Sequence, residues 1–166
     1  MKYSFKLCLK SLLTICFLMF FFIPKSQIII FNKSTFYNVL ATGDIAQINQ
    51  QLALISSIDQ PEKNAYEGAL LMKKAGVATK LKEKLNFFKA GHTKLESAIN
   101  NNSNNIEYHF LRLVIQEKSP KILKYKSEII NDKNIIISSF KTLSPTVQKA
   151  VREFSKTSTN LKLQDF

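Results

Sequence analysis

The sequence contains only two cysteines, Cys8 and Cys16, and both lie near its N-terminus. The rest of the chain therefore offers no disulfide, no thiolate metal site and no cysteine nucleophile. Its four glycines are scattered, which excludes a phosphate-binding glycine loop. Serine is plentiful, but none stands in a Gly-x-Ser-x-Gly turn. A domain of this composition must be held together by its hydrophobic core alone.

Histidine and arginine are scarce as well, with two residues of each. His92 and His109 cannot form a metal site without suitably placed carboxylates, and Glu96, four residues after His92, has the spacing of an ordinary helix-surface pair. We therefore predict no metal site and no cofactor. Arginine is the residue preferred for bidentate contacts to phosphate or guanine, so a chain with only Arg112 and Arg152 is not expected to bind nucleic acid.

The N-terminal segment has the pattern of a secretory signal peptide: basic residues, then an apolar run, then a small residue. We interpret residues 1–26, which end in Ser26, as that signal. The alternative is an uncleaved membrane anchor formed by residues 7–23, since such a run is at the lower limit of what spans a bilayer. A lipid anchor at Cys16 is disfavoured, because Ile15 stands where a small residue is expected. All of these interpretations place the remaining chain in the periplasm or outside the cell.

The chain has 24 basic and 12 acidic residues, a formal net charge of +12 at pH 7. Lysines are concentrated in residues 73–89 and 118–126. One interpretation is a basic patch for an anionic partner such as a membrane surface, for which we single out Lys73, Lys74, Lys80 and Lys84. Lysine is also the ordinary residue of solvated helix faces, and we favour that interpretation.

Apolar residues recur at helical spacing along nearly the whole chain after the N-terminal segment. We predict an all-α fold of antiparallel helix pairs, arranged as a right-handed array or as an irregular helical bundle. Residues 27–157 are expected to form a single helical domain of seven to nine helices. Residues 158–166 are polar and are predicted to form a flexible tail.

Several helix boundaries carry local signals. Asp44 is a suitable N-cap, and Ser119-Pro120 is typical of a helix start. Gly68, which lies among alanines, is expected to let another helix approach closely. Ala90-Gly91 is expected to interrupt or bend the helix in which it lies. Asp132 is either a helix N-cap, which we favour because its neighbour also breaks helices, or a buried acid with a partner.

Two resemblances add to this interpretation. The segment GHTKLESAI at 91–99, followed by a turn and IEY at 106–108, resembles the second half of a tetratricopeptide repeat entering the next. Residues 64–137 also resemble a group of small exported helical proteins of Bacteroidota with no established activity, through AYEGA at 65–69, EYHFLR at 107–112 and IINDK at 129–133. The resemblances imply an array of tetratricopeptide type and an exported protein, and they imply no activity.

Five polar residues stand on helices whose apolar faces are expected to pack together: Tyr66, Glu67, Glu107, Arg112 and Asp132. We predict that they form a polar centre in which Arg112 pairs with one of the three acids. A structural ion pair is favoured over a catalytic role, because no nucleophile is placed with a base and an orienting group. No catalytic residue is assigned.

The sequence thus predicts binding rather than catalysis. The first hypothesis is a non-enzymatic scaffold that offers a groove to an unidentified protein or peptide in the cell envelope. The alternative is a membrane-surface or lipid-binding protein that uses a lysine-rich helical face. The first hypothesis requires an exposed groove, and the second requires a continuous patch of lysine. No oligomeric state is predicted.

Overall fold

The computed structural model describes residues 30–166. Within this range the chain forms α-helices and no strand, which confirms the predicted all-α class. The helices are α1 (Lys33–Thr42), α2 (Ile45–Ser57), α3 (Lys63–Val77), α4 (Leu81–Asn101), α5 (Ile106–Lys118), α6 (Ile129–Ser139) and α7 (Pro145–Ser155). None of these helices is long and apolar enough to cross a membrane. The predicted signal of residues 1–26, the alternative anchor of residues 7–23 and Cys16 lie outside the described residues.

Short polar residues set the boundaries of the first two helices. The side-chain oxygen of Asn32 accepts a hydrogen bond from the backbone amide of Thr35 at 3.1 Å and so caps α1. Gly43 ends α1 with a φ of 77°, in the left-handed region that glycine adopts without steric cost. As predicted, Asp44 caps α2 by accepting from the amide of Gln47 at 2.8 Å.

Helices α3 and α4 form the most extensively packed pair in residues 30–166. Gly68 of α3 faces Gly91 of α4, and a Cβ placed on Gly91 would lie only 2.6 Å from the carbonyl oxygen of Gly68. The close approach predicted at Gly68 is confirmed. The predicted interruption of the helix at Ala90-Gly91 is wrong, because α4 continues through both residues. Gly91 provides room for a neighbouring helix rather than a turn.

The core is centred on α5, as its wide apolar surface indicates. This helix packs against α3, α4, α6 and α7, and its buried apolar residues are Tyr108, Phe110, Leu111, Leu113 and Ile115. Helix α1 contacts α7, so the first and last described helices meet. In an open repeat array each unit contacts only its neighbours. The fold is therefore an irregular helical bundle, the second of the two predicted architectures.

The chain between α5 and α6 differs from the prediction of a helix starting at Ser119-Pro120. Only a single 3₁₀ turn, Lys121–Leu123, follows these residues. Lys124 then has a left-handed φ of 50°, and regular helix resumes at α6. The ring of Tyr125 packs edge-on against Phe88 of α4, with centroids 5.7 Å apart. Burial of this ring favours an irregular segment over continuation of the helix.

Residues 158–166, which the sequence predicts to be a flexible tail, lie packed on the bundle. Glu117 of α5 accepts hydrogen bonds from the backbone and side-chain amides of Asn160, at 3.0 and 2.8 Å. Leu161 is fully buried, and the ring centroids of Phe166 and Phe140 are 4.3 Å apart. The polar composition of these residues suggests a flexible tail. The carboxylate of Glu117 on α5 nevertheless accepts hydrogen bonds from this turn and so holds it against the bundle.

Candidate functional site

Helix α5 carries two buried charged groups that face different neighbours. Glu107, in the first turn, faces α1 and α3, whereas Arg112 faces α4 and α6. We call the first set the Glu107 cluster, which contains Lys33, Tyr37, Tyr66 and Glu107. We call the second the Arg112 cluster, which contains Glu96, His109, Arg112, Tyr125 and Asp132.

The Glu107 cluster joins three helices through one carboxylate. Its Oε1 accepts hydrogen bonds from the hydroxyls of Tyr37 at 2.7 Å and Tyr66 at 2.9 Å, and its Oε2 pairs with Nζ of Lys33 at 2.9 Å. Burial and the adjacent carboxylate raise the pKa of both phenols above the ordinary value, so both donate at neutral pH. The charge also lies at the N-terminal end of α5, where the helix dipole stabilises an anion. Both carboxylate oxygens of Glu107 thus have partners within the protein.

Arg112 and Asp132 form a bidentate ion pair between α5 and α6. Nε donates to Oδ2 and Nη2 to Oδ1, both at 2.8 Å, and Asp132 is fully buried. Nη1 donates to Oε2 of Glu96 on α4 at 2.9 Å. Of the three acids predicted as partners of Arg112, the structure pairs it with Asp132. The favoured interpretation of Asp132 as a helix N-cap is wrong, because its oxygens accept from side chains of α5 and Glu128 occupies the cap position.

His109 completes the Arg112 cluster, and both of its ring nitrogens face acceptors. Nδ1 lies 2.7 Å from Oδ1 of Asp132, and Nε2 lies 2.8 Å from the carbonyl oxygen of Ser103. Both oxygens act as acceptors, and the two ring nitrogens donate to them at the same time only when the ring is a protonated imidazolium. The hydrogen bond with Asp132 accordingly raises the pKa of His109 above its ordinary value. The ring ties the turn before α5 to α6.

Tyr125 attaches the irregular segment after α5 to α4. Its hydroxyl donates a hydrogen bond to Oε1 of Glu96, and burial together with that carboxylate raises the pKa of Tyr125. Its ring also packs edge-on against His92, with centroids 4.9 Å apart. Glu96 thus accepts hydrogen bonds from both Arg112 and Tyr125. The cluster therefore joins α4, α5, α6 and the segment that connects α5 to α6.

The five residues predicted to form one polar centre are divided by the structure. Glu107 and Tyr66 belong to one cluster, and Arg112 and Asp132 to the other. Glu67 belongs to neither, because its carboxylate pairs with Nζ of Lys94 on α4 at 2.9 Å.

Sequence reasoning missed five members of the clusters: Lys33, Tyr37, Glu96, His109 and Tyr125. Only His109 carries a local signal, since it lies three residues before Arg112 on the same helical face. The other four reach α5 from other parts of the chain, and no local pattern marks them.

An open cleft of about 740 Å³ lies between α1, α5 and α7. Its deepest side chains are apolar, and they include Leu40 of α1 and Phe110 of α5, both buried. Val114 and Phe154 continue this apolar floor. Polar side chains line its exposed edge, among them the hydroxyls Ser34, Thr35, Thr146 and Thr157.

The cleft has an excess of positive charge. Lys73, Lys118 and Lys149 line it against a single acid, Glu153, whose carboxylate is paired with Lys156 at 2.7 Å. Burial and the neighbouring Lys118 lower the pKa of Lys73. An ammonium group that is destabilised in this way is stabilised by a nearby anion. The cleft therefore favours a ligand that combines apolar and acidic groups.

The four lysines predicted as a basic patch have different surroundings. Lys73 donates to the carbonyl oxygen of Ala41 at 3.1 Å and lines the cleft. Lys74 instead lies over the ring of Phe87 on α4, with Nζ 4.4 Å from its centroid. Lys80 and Lys84 stand at the start of α4. Adjacent positions on α3 thus direct two of these lysines to different helices.

Among residues 30–166, no group of three or more His, Cys, Asp or Glu side chains is arranged to hold a metal ion. Comparison of the chain with models of protein families, with curated proteins and with solved structures gave no match. The function of the protein is therefore inferred from its own geometry.

Proposed function

We propose that this protein is a non-enzymatic interaction scaffold of the cell envelope that holds an acidic segment of a partner protein in the cleft between α1, α5 and α7. The observation that carries the proposal is the cleft itself, a concave surface of about 740 Å³ with an apolar floor and lysines at its edge. Concave, mostly apolar surfaces with a few polar groups are the usual form of binding sites.

The Glu107 cluster supports this proposal because it holds the walls of the cleft in place. Tyr37 of α1 lines the cleft, and its hydroxyl donates to Glu107 of α5, the helix that forms the neighbouring wall. A buried hydrogen bond between two walls fixes their separation before a partner arrives. Preorganisation of this kind lowers the entropic cost of binding.

The chemistry of the cleft matches a short amphipathic segment. Apolar side chains at helical spacing would contact Phe110 and Val114, as in other complexes of a helix in a groove. Carboxylates of the same segment would pair with Lys118 and Lys149 at the edge, where charge selects the partner and speeds association.

Site-specific photo-crosslinking of the full chain in its native cells tests the proposal. A photo-reactive amino acid at Asn38 or Thr146, which line the cleft, should give a discrete adduct with one partner protein. The same amino acid at Asn134, an exposed residue of α6 outside the cleft, is the matched control. Filling the cleft with Ala150→Trp should abolish the adduct. Equal adducts from Asn134, or none from Asn38 and Thr146, would contradict the proposal.

The envelope location is part of the proposal and rests on the pattern of the N-terminal segment. Intact mass and cell fractionation of the natively expressed protein test it. A species that begins near Gln27 in the soluble envelope fraction would establish a cleaved signal. A full-length species in the membrane fraction would establish residues 7–23 as a tether. Recovery from the cytoplasm would refute export.

A further inference from the structure

Two leucines at the start of α4 are exposed: Leu81 by 72 % and Leu85 by 42 %. They lie four residues apart on one face of the helix. The next residues on this face, Phe88 and His92, contact the ring of Tyr125. The exposed apolar stripe therefore leads directly to the segment that connects α5 and α6.

That connecting segment exposes another large apolar side chain, Ile122, which is 87 % exposed. Ile122 belongs to the turn Lys121–Leu123, whose Leu123 packs against the core. The contact of Tyr125 with Phe88 holds this turn beside α4. We call the combined face of Leu81, Leu85 and Ile122, with the lysines around them, the α4–loop surface.

The α4–loop surface is strongly basic. Its lysines are Lys80, Lys82, Lys84 and Lys89 from α4 and Lys121, Lys124 and Lys126 from the connecting segment. The acid within these two stretches is Glu83, which pairs with Lys80 at 3.3 Å. The contacts of Tyr125 with Phe88 and His92 bring the segment that carries the second set of lysines beside the helix that carries the first.

We infer that the α4–loop surface docks on an anionic phospholipid bilayer. Leu81, Leu85 and Ile122 insert at the level of the headgroups, and the surrounding lysines contact lipid phosphates. Exposed apolar side chains set among lysines are typical of interfacial membrane binding. None of these residues lines the cleft, so the inference does not depend on the proposed binding of a protein segment.

Tryptophan fluorescence tests the inference in the full chain, because the natural sequence has no tryptophan. Single variants Leu81→Trp and Ile122→Trp are mixed with vesicles of phosphatidylcholine alone or of phosphatidylcholine with phosphatidylglycerol. Leu163→Trp is the matched control, since Leu163 is an exposed leucine outside the surface. We expect the emission of the two surface variants to shift to shorter wavelength with anionic vesicles only, and the control to stay unchanged. These local reporters distinguish docking of the surface from attachment through the N-terminal segment.

Charge variants built on Ile122→Trp measure the contribution of the lysines. Each neutralised lysine at the membrane should lower the partition coefficient about fivefold, so K82Q/K89Q/K121Q should lower it about a hundredfold. The control K141Q/K156Q/K162Q removes the same charge from exposed lysines elsewhere and should leave partitioning nearly unchanged. The inference is overturned by unchanged emission of both surface variants, by equal shifts in all three variants, by equal shifts with neutral vesicles, or by equal losses from both triple variants.

Discussion

Replacing Asp132 with leucine removes a fully buried carboxylate that faces both Arg112 and His109. The guanidinium then keeps two less buried carboxylates as partners, Glu96 at 2.9 Å and Glu128 at 4.0 Å. Breaking a buried ion pair by removing one member typically costs about 3–5 kcal/mol, because the other charge stays buried without compensation. A domain of this size unfolds with a free energy of about 5–15 kcal/mol. We therefore expect Asp132→Leu to remove about a fifth of the stability or more.

The double variant Arg112→Leu with Asp132→Leu separates the ion pair from simple loss of packing. Asp132→Leu leaves the guanidinium of Arg112 without its bidentate partner, and Arg112→Leu leaves the buried carboxylate of Asp132 with His109 as its remaining side-chain partner, whereas the double variant removes both members of the ion pair. Glu96 is partly exposed and keeps its hydrogen bond from Tyr125. The double variant should therefore be more stable than the sum of the single effects predicts, by about 1–3 kcal/mol.

Equilibrium unfolding in guanidinium chloride measures these effects as shifts of the midpoint at constant slope. The matched control is Lys156→Met, which breaks an exposed pair with Glu153 at 2.7 Å and should cost at most about 1 kcal/mol. Single variants that cost less than about 1 kcal/mol, or a double variant that is additive within about 0.5 kcal/mol, would refute the reasoning.

Three further outcomes are expected. Gly91→Leu should strongly destabilise the fold in thermal unfolding, because even its Cβ would lie 2.6 Å from the carbonyl oxygen of Gly68, whereas Gly76→Ala, with open space around it, should not. His109 has a raised pKa in the folded state, so its charge stabilises the fold most below about pH 6.5. The stability advantage of the natural protein over His109→Gln should shrink as the pH rises through the folded pKa, and an advantage independent of pH would contradict the imidazolium. Leu161→Ala should cost about 2–5 kcal/mol in urea unfolding if the C-terminal segment is part of the core, and a silent substitution would show that it is not.

Local signals predicted the helix boundaries well where the deciding partner is close in the chain. Asp44 caps α2 through the amide of Gln47, three residues away, and Gly43 ends α1 through its own backbone conformation. At Asp132 the sequence allowed two interpretations. The deciding partner, Arg112, lies 20 residues away on another helix, and no local pattern distinguishes a cap from a buried acid.

The glycines in α3 and α4 show the same limit of local sequence patterns, which do not identify a partner on another helix. In an exposed helix interior a glycine costs about 1 kcal/mol relative to alanine, which makes a bend at Gly91 a reasonable prediction. The contact between Gly91 and Gly68 reverses that preference, because only two residues without side chains allow α3 and α4 to approach so closely. The neighbours of Gly68 in the sequence predicted that another helix would approach closely at this residue. They did not predict that Gly91 would be its partner on α4.

The sequence by itself determined the all-α class, the start of α2 at Asp44 and the central position of α5. These features follow from helical periodicity and from caps, which act within one or two turns of the chain. Only the tertiary structure decided that α1 meets α7, that Arg112 selects Asp132, and that Tyr125 packs against Phe88. Periodicity shows which face of a helix is buried but not which helix covers it. That choice depends on the packing of residues far apart in the chain.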